Sequence, residues 1–72
     1  MANIYTKDHK SLVKKLKTAR TGAGLDQKEV AKILGRSQSY VSKIESGQRQ
    51  INVIQLKEFS KIYKKDIKYF LE

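Results

Sequence analysis

A chain of 72 residues forms one domain with a thin core, because at this size only about 60% of the unfolded surface can be buried. Zero cysteines and a single histidine, His9, exclude disulfides, thiolate or multi-histidine metal sites and a cysteine nucleophile. Sixteen Lys+Arg against seven Asp+Glu give a formal charge of +9, an excess that suits a polyanion partner, either nucleic acid or an anionic membrane surface.

The charge is uneven. Residues 1–25 carry six basic side chains against Asp8, net +5, whereas 26–50 and 51–72 each carry five against three, net +2. A lysine-rich helix can equally be a solvated face, so basicity alone does not decide the partner. No apolar run exceeds three residues, so no signal-peptide core and no membrane span can be drawn, and a cytoplasmic protein is expected. There is no proline and no long alternating β-branched run, and helix formers dominate.

Residues 1–7 read as an N-terminal arm, and 8–72 as a single domain. A first helix is predicted from about Asp8, as N-cap, to Thr21. Leu12, Leu16 and Ala19 share one face, with Val13 and Arg20 beside it and Lys10, Lys14 and Lys17 opposite. Gly22 and Gly24 end it. The second helix starts at Asp26, which with Glu29 makes a capping box; Val30, Ala31 and Leu34 form its buried face, and Gly35 stops it.

The third helix is capped by Ser37 and ends at Gly47, with Val41 and Ile44 inward. A loop, 48–52, leads to a fourth helix from about Val53 to Tyr63, whose apolar residues are Leu56, Phe59, Ile62 and Tyr63. Lys64 and Lys65 suit its C-terminal dipole. Asp66 caps a short fifth helix carrying Ile67, Phe70 and Leu71. The expected architecture is therefore all-α, with five short helices joined by short turns. His9 is expected to be solvated, and Ile4 and Tyr5 precede the first helix.

The stretch "DQKEVAKILGRSQSYVSKIESG" joins the second and third helices through a turn of about three residues around Gly35, which forces a steep crossing of roughly 90–120°. A close crossing needs a small residue at the contact, which Ala31 supplies. It also needs apolar anchors from both helices: Val30, Leu34, Val41 and Ile44. Numbered from Gln27, these five residues fall at positions 4, 5, 8, 15 and 18, with glycine at 9.

This pattern resembles the helix-turn-helix of the Cro and phage-repressor type, the XRE family. The resemblance runs from about residue 12 to residue 71. "GLDQKEVAKILG" is similar to the first half of the motif, and "SQSYVSKIESGQR" to the recognition helix with its E-x-G ending. The resemblance implies a five-helix, lambda-repressor-like domain that binds operator DNA, usually as a dimer, with the third helix in the major groove. It also implies that Gln27 clamps a phosphate and that Arg20 pairs with Glu45. Such a pair would be largely structural, partly buried and intermediate in cost between about 0–1 kcal/mol for exposed pairs and about 3–5 for buried ones. Departures from the family pattern are Arg36 after the turn glycine, Ser46 where Asn is common, and Ile51 in place of a loop proline.

With Val41 and Ile44 inward, the outward positions of the third helix are Gln38, Ser39, Tyr40, Ser42, Lys43 and Ser46. Gln38 can bond adenine N6 and N7 together, and Lys43 can donate to guanine O6 or N7. Tyr40 can pack on a thymine methyl or bond a phosphate, and Ser39 can bond a base or a phosphate. Candidate base contacts are therefore Gln38, Ser39, Tyr40 and Lys43. Candidate phosphate contacts are Gln27, at a helix N-terminus, with Arg36, Ser46, Gln48 and Arg49; Gln50 lies beside them. Phe70 and Leu71 are the candidate dimer contacts.

The function expected is a sequence-specific regulator on double-stranded DNA, a homodimer on a palindromic operator. A phage-type repressor and a restriction-modification controller fit equally. Alternatives are an interaction module or antitoxin on the same fold, or a membrane-surface binder using the first helix. No cofactor, metal or small-molecule ligand is expected. Nor is an enzyme, since no acid–base pair, nucleophile constellation or phosphate-cradling glycine loop is present.

Overall fold

The computed structural model describes residues 7–72, with side chains from His9 onward. The arm with Ile4 and Tyr5, and the capping role of the Asp8 side chain, lie outside the described residues. Five helices follow one another: α1 (Lys7–Gly22), α2 (Gln27–Leu34), α3 (Gln38–Glu45), α4 (Val53–Tyr63) and α5 (Ile67–Leu71). No strand occurs among the described residues.

The helix ends are set by local chemistry. At α2, the Asp26 carboxylate accepts the Glu29 N–H at 2.7 Å, while the Asp26 N–H donates to the Glu29 carboxylate at 3.0 Å. The reciprocal bonds satisfy two otherwise orphan donors. The same box recurs at α4, at a residue placed in the loop from sequence: Asn52 accepts from Gln55 N–H at 2.8 Å, and the Gln55 side chain accepts from Asn52 N–H at 3.0 Å. Asp66 caps α5 through Lys68 N–H at 2.9 Å.

Gly35 closes α2 with φ 69°. Its N–H reaches Lys32 O at 3.2 Å and the Arg36 N–H reaches Ala31 O at 2.9 Å, the 5→2 and 6→1 bonds of a Schellman ending. Lys64 ends α4 the same way, at φ 54°, with Lys65 N–H on Ser60 O at 3.0 Å. That is a left-handed residue bearing a Cβ, which L side chains rarely adopt.

Helix α2 packs chiefly against α3, while α1 touches α3, α4 and α5. The core is Leu16 and Ala19 of α1, Val30 and Ala31 of α2, Tyr40, Val41 and Ile44 of α3, Leu56, Phe59 and Tyr63 of α4, and Phe70 of α5. Leu12, Leu34, Ile62 and Ile67 close its edges.

Two side chains outside α3 depart from the expected placement. His9 is buried rather than solvated, because the start of α1 lies against the end of α3: a Cβ on Gly47 would stand 3.9 Å from its Nε2. Phe70 is a core residue, edge-on to the Tyr69 ring at 5.0 Å, and so is occupied within the protomer rather than free for a dimer contact. Leu71, next to it, is 67% exposed. The phenol of Tyr63 is buried with no hydrogen-bond partner among the described residues. Burial, with the nearby Glu45 charge, holds its pKa well above the ordinary 10.0.

Candidate nucleic-acid interface

The interface candidate is the outer side of α3, and the phase of that helix follows from its cap. Ser37 Oγ accepts the Tyr40 N–H at 3.3 Å, which starts the helix at Gln38. At about 100° per residue, Tyr40, Val41 and Ile44 then share one face. All three are buried. Gln38, Ser39, Ser42 and Lys43 form a contiguous exposed arc on the other. Ser42 sits inside that arc, between residues to which the sequence assigns base contacts, although no role was assigned to it.

Tyr40 is therefore corrected from an outward to an inward residue. It is 7% exposed, and its ring stacks on Phe59 at 6.5 Å, 8° from parallel. It lies one residue from Val41 and four from Ile44, which keeps it within the inward face, and an aromatic ring gains more from burial than from display.

One flank of the arc is pinned to the rest of the domain. Arg20 Nε donates to Glu45 Oε2 at 2.7 Å, and Arg20 Nη2 donates to Oε1 at 3.1 Å. Arg20 Nη1 also reaches the Leu25 carbonyl at 2.9 Å. Gln27 Nε2 donates to the same Oε1 at 3.1 Å. One carboxylate on α3 thus ties together α1 and α2, while Arg20 also holds the α1–α2 turn. The Arg20 and Glu45 side chains are only 10% and 4% exposed, so the pair is buried more fully than the sequence led us to expect. The bond to Glu45 raises the Arg20 pKa further, so the guanidinium keeps its charge at any working pH. Gln27 retains a second amide N–H beside the first-turn N–H groups of α2, the kind of cluster that attracts an anion.

The other flank is cationic. A cleft of about 400 Å³ is lined by Gly35, Arg36, Ser37, Ser39, Tyr40, Lys43 and Arg49. None of these residues is acidic. Arg49 arrives there because the loop after α3 folds back: the Gln48 and Arg49 N–H groups both donate to Lys43 O, at 2.9 and 3.2 Å. Ser46 Oγ donates to the same carbonyl at 3.1 Å, which draws Ser46 onto the last turn of α3. Gln48 is exposed beyond it. The structure thus gathers Ser39, Lys43, Arg36 and Arg49 on one side of α3, and places Gln27 on the opposite side beside Glu45.

A short, exposed polar helix held across a glycine turn by a second helix, with cations at its edge, defines a helix-turn-helix domain of the DNA-binding class. A helix-turn-helix family model matches residues 16–70, well over half of the chain. The chain belongs to that family, the Cro/repressor-type XRE group of DNA-binding regulators. Among curated proteins, none matches it. The family is regulatory and not typically enzymatic. Among the described residues, no helix is long and apolar enough to cross a membrane, and no group of three or more His, Cys, Asp or Glu could hold a metal ion.

Proposed function

We propose that the chain is a sequence-specific transcriptional repressor or controller that binds a palindromic duplex operator as a homodimer. The exposed arc of α3 carries this reading. Gln38, Ser39 and Lys43 meet base edges in the major groove, with Ser42 among them. Arg36 and Arg49 hold the backbone on one flank and Gln27 on the other, with Ser46 and Gln48 beyond the end of the helix. Phosphate contacts fix the register, while base contacts carry the sequence information.

Dimerisation is assigned to the surface around Leu71. Leu71 borders a groove of about 760 Å³ together with Asn52 and Gln55. The neighbouring α4 residues Val53 and Ile54 are 61% and 72% exposed, which supports an apolar contact between copies. Two α3 helices would then read half-sites about 34–36 Å apart.

The test is selection from a random duplex library at physiological salt. A recovered palindrome supports the homodimer, and its spacing gives the separation of the two α3 helices. An asymmetric short site points to a monomer. No enrichment, with binding that vanishes as salt rises, overturns sequence-specific reading.

A further inference from the structure

Tyr40 brings an aromatic face to a core position next to Val41. What its ring does is visible in its neighbours. The Arg36 guanidinium carbon lies 4.9 Å from the Tyr40 ring centroid, and the Arg49 guanidinium carbon also lies 4.9 Å from it. Both distances fall inside the range at which an aromatic face attracts a cation. Arg36 comes from the turn before α3 and Arg49 from the loop after it, so one ring gathers two cations that the backbone places at opposite ends of the helix.

The arrangement brings like charges together. The two guanidiniums stand no further apart than the sum of those two distances, Lys43 lines the same cleft, and no carboxylate does. The only carboxylate of α3, Glu45, is committed to Arg20 and Gln27 on the other flank. Arg36, Lys43 and Arg49 are exposed, so solvent damps their mutual repulsion without abolishing it, and an anion between them relieves what remains. The ring is itself fixed, being buried and stacked on Phe59, so it can hold two otherwise mobile side chains at low conformational cost.

We propose that Tyr40 is a positioning residue for DNA binding: its ring pre-orients Arg36 and Arg49 as a two-pronged clamp on the phosphodiester backbone beside α3. This rests on the DNA-binding reading above and deepens it. Tyr40 touches no base. It acts through the two arginines, and the clamp is sequence-independent.

The experiment compares wild type, Tyr40→Phe and Tyr40→Leu for binding to the selected duplex and to a random duplex across a salt series. Tyr40→Phe keeps the ring and is expected to bind as wild type does. Tyr40→Leu is expected to weaken both duplexes by a similar factor, about tenfold at physiological salt. It should also flatten the log–log salt slope by about 0.9 to 1.8, corresponding to one or two lost phosphate contacts. A merely structural role would lower the melting temperature and leave the slope unchanged in the fraction that remains folded. That result, or an unchanged slope in a fully folded Tyr40→Leu, overturns the proposal.

Because Tyr40→Leu can fail to fold, the wild-type protein free of DNA supplies a second readout. Ring-current-shifted δ-methylene protons on both Arg36 and Arg49 are expected in its NMR spectrum, and random-coil shifts on either overturn the clamp. If wild type itself binds no duplex in a salt-dependent way, the DNA-binding reading fails, whatever the arginine shifts show.

Discussion

Removing the Arg20 side chain tests how the recognition helix is held. Arg20→Ala deletes two bonds to Glu45 and one to the Leu25 carbonyl. The Glu45 carboxylate, 4% exposed while Arg20 covers it, is left with Gln27 as its remaining side-chain donor. Breaking a buried pair in this way costs about 3–5 kcal/mol, most of it the penalty of the stranded charge. A domain of this size has a total stability of only about 4–11 kcal/mol. Since each kcal/mol moves the melting temperature of so small a domain by about 4–8 °C, the loss is at least about 12 °C.

Arg20→Lys should recover only part of this, because an ammonium cannot make the two parallel bonds. Arg20→Met combined with Glu45→Leu should recover most of it, because no charge is then stranded. Thermal and urea unfolding of the four proteins measure these differences. A loss below about 1 kcal/mol for Arg20→Ala, the range of an exposed pair, would refute the buried-pair account. A double variant no more stable than Arg20→Ala would refute the stranded-charge explanation.

Other outcomes follow from the same structure. Gln38→Ala is expected to weaken the selected duplex by about 1–3 kcal/mol relative to random DNA; equal losses on both would remove Gln38 from the reading face. Tyr63→Phe removes a buried hydroxyl that has no partner, so at neutral pH it should be neutral or stabilising by up to about 1 kcal/mol in urea unfolding. The raised pKa of Tyr63 means that its ionised form is disfavoured in the fold: the tyrosine leaves stability level below pH 10.0 and lowers it as pH rises above that value. Wild type should therefore lose up to about 1.4 kcal/mol per pH unit more than Tyr63→Phe in that alkaline range, and equal slopes would refute the burial effect. Gly35 and Lys64 share the left-handed conformation, so exchanging side chains there should act with opposite signs. Gly35→Ala should destabilise and Lys64→Gly stabilise, each by about 0.5–1 kcal/mol once the entropy of glycine is subtracted from the strain. A calorimetric shift of the same sign in both would contradict this.

Much of the fold is legible in the chain because its signals are local. Asp26 with Glu29, Ser37, and Asp66 mark helix starts through bonds spanning only two or three residues. Gly35 marks a stop because the ending it closes needs a left-handed residue. The Asn52–Gln55 box is equally local and could have been found from the same spacing. The end of α4 at Tyr63 is legible too, but the left-handed backbone of Lys64 is not, because nothing in a lysine announces it. The outward arc of Gln38, Ser39 and Lys43 follows from the period of the helix once Val41 and Ile44 are taken as inward. Tyr40 was misplaced because two apolar anchors define the centre of a face but not its width, and an amphipathic aromatic at its edge can turn either way.

The chain by itself determined five helices, the caps of the second, third and fifth, the short-turn pair and a basic surface. Each depends on contacts a few residues apart or on composition. Only the tertiary structure decided that Glu45 is nearly sealed under Arg20 and Gln27, that His9 and Phe70 are buried, and that Arg36 and Arg49 meet over one ring. Most of those facts join residues separated by thirteen to thirty-eight positions, and no local periodicity encodes which distant side chain fills a given space. Close packing of three helices around α3 makes that choice, because a thin core leaves few places where a ring or a charge can be satisfied.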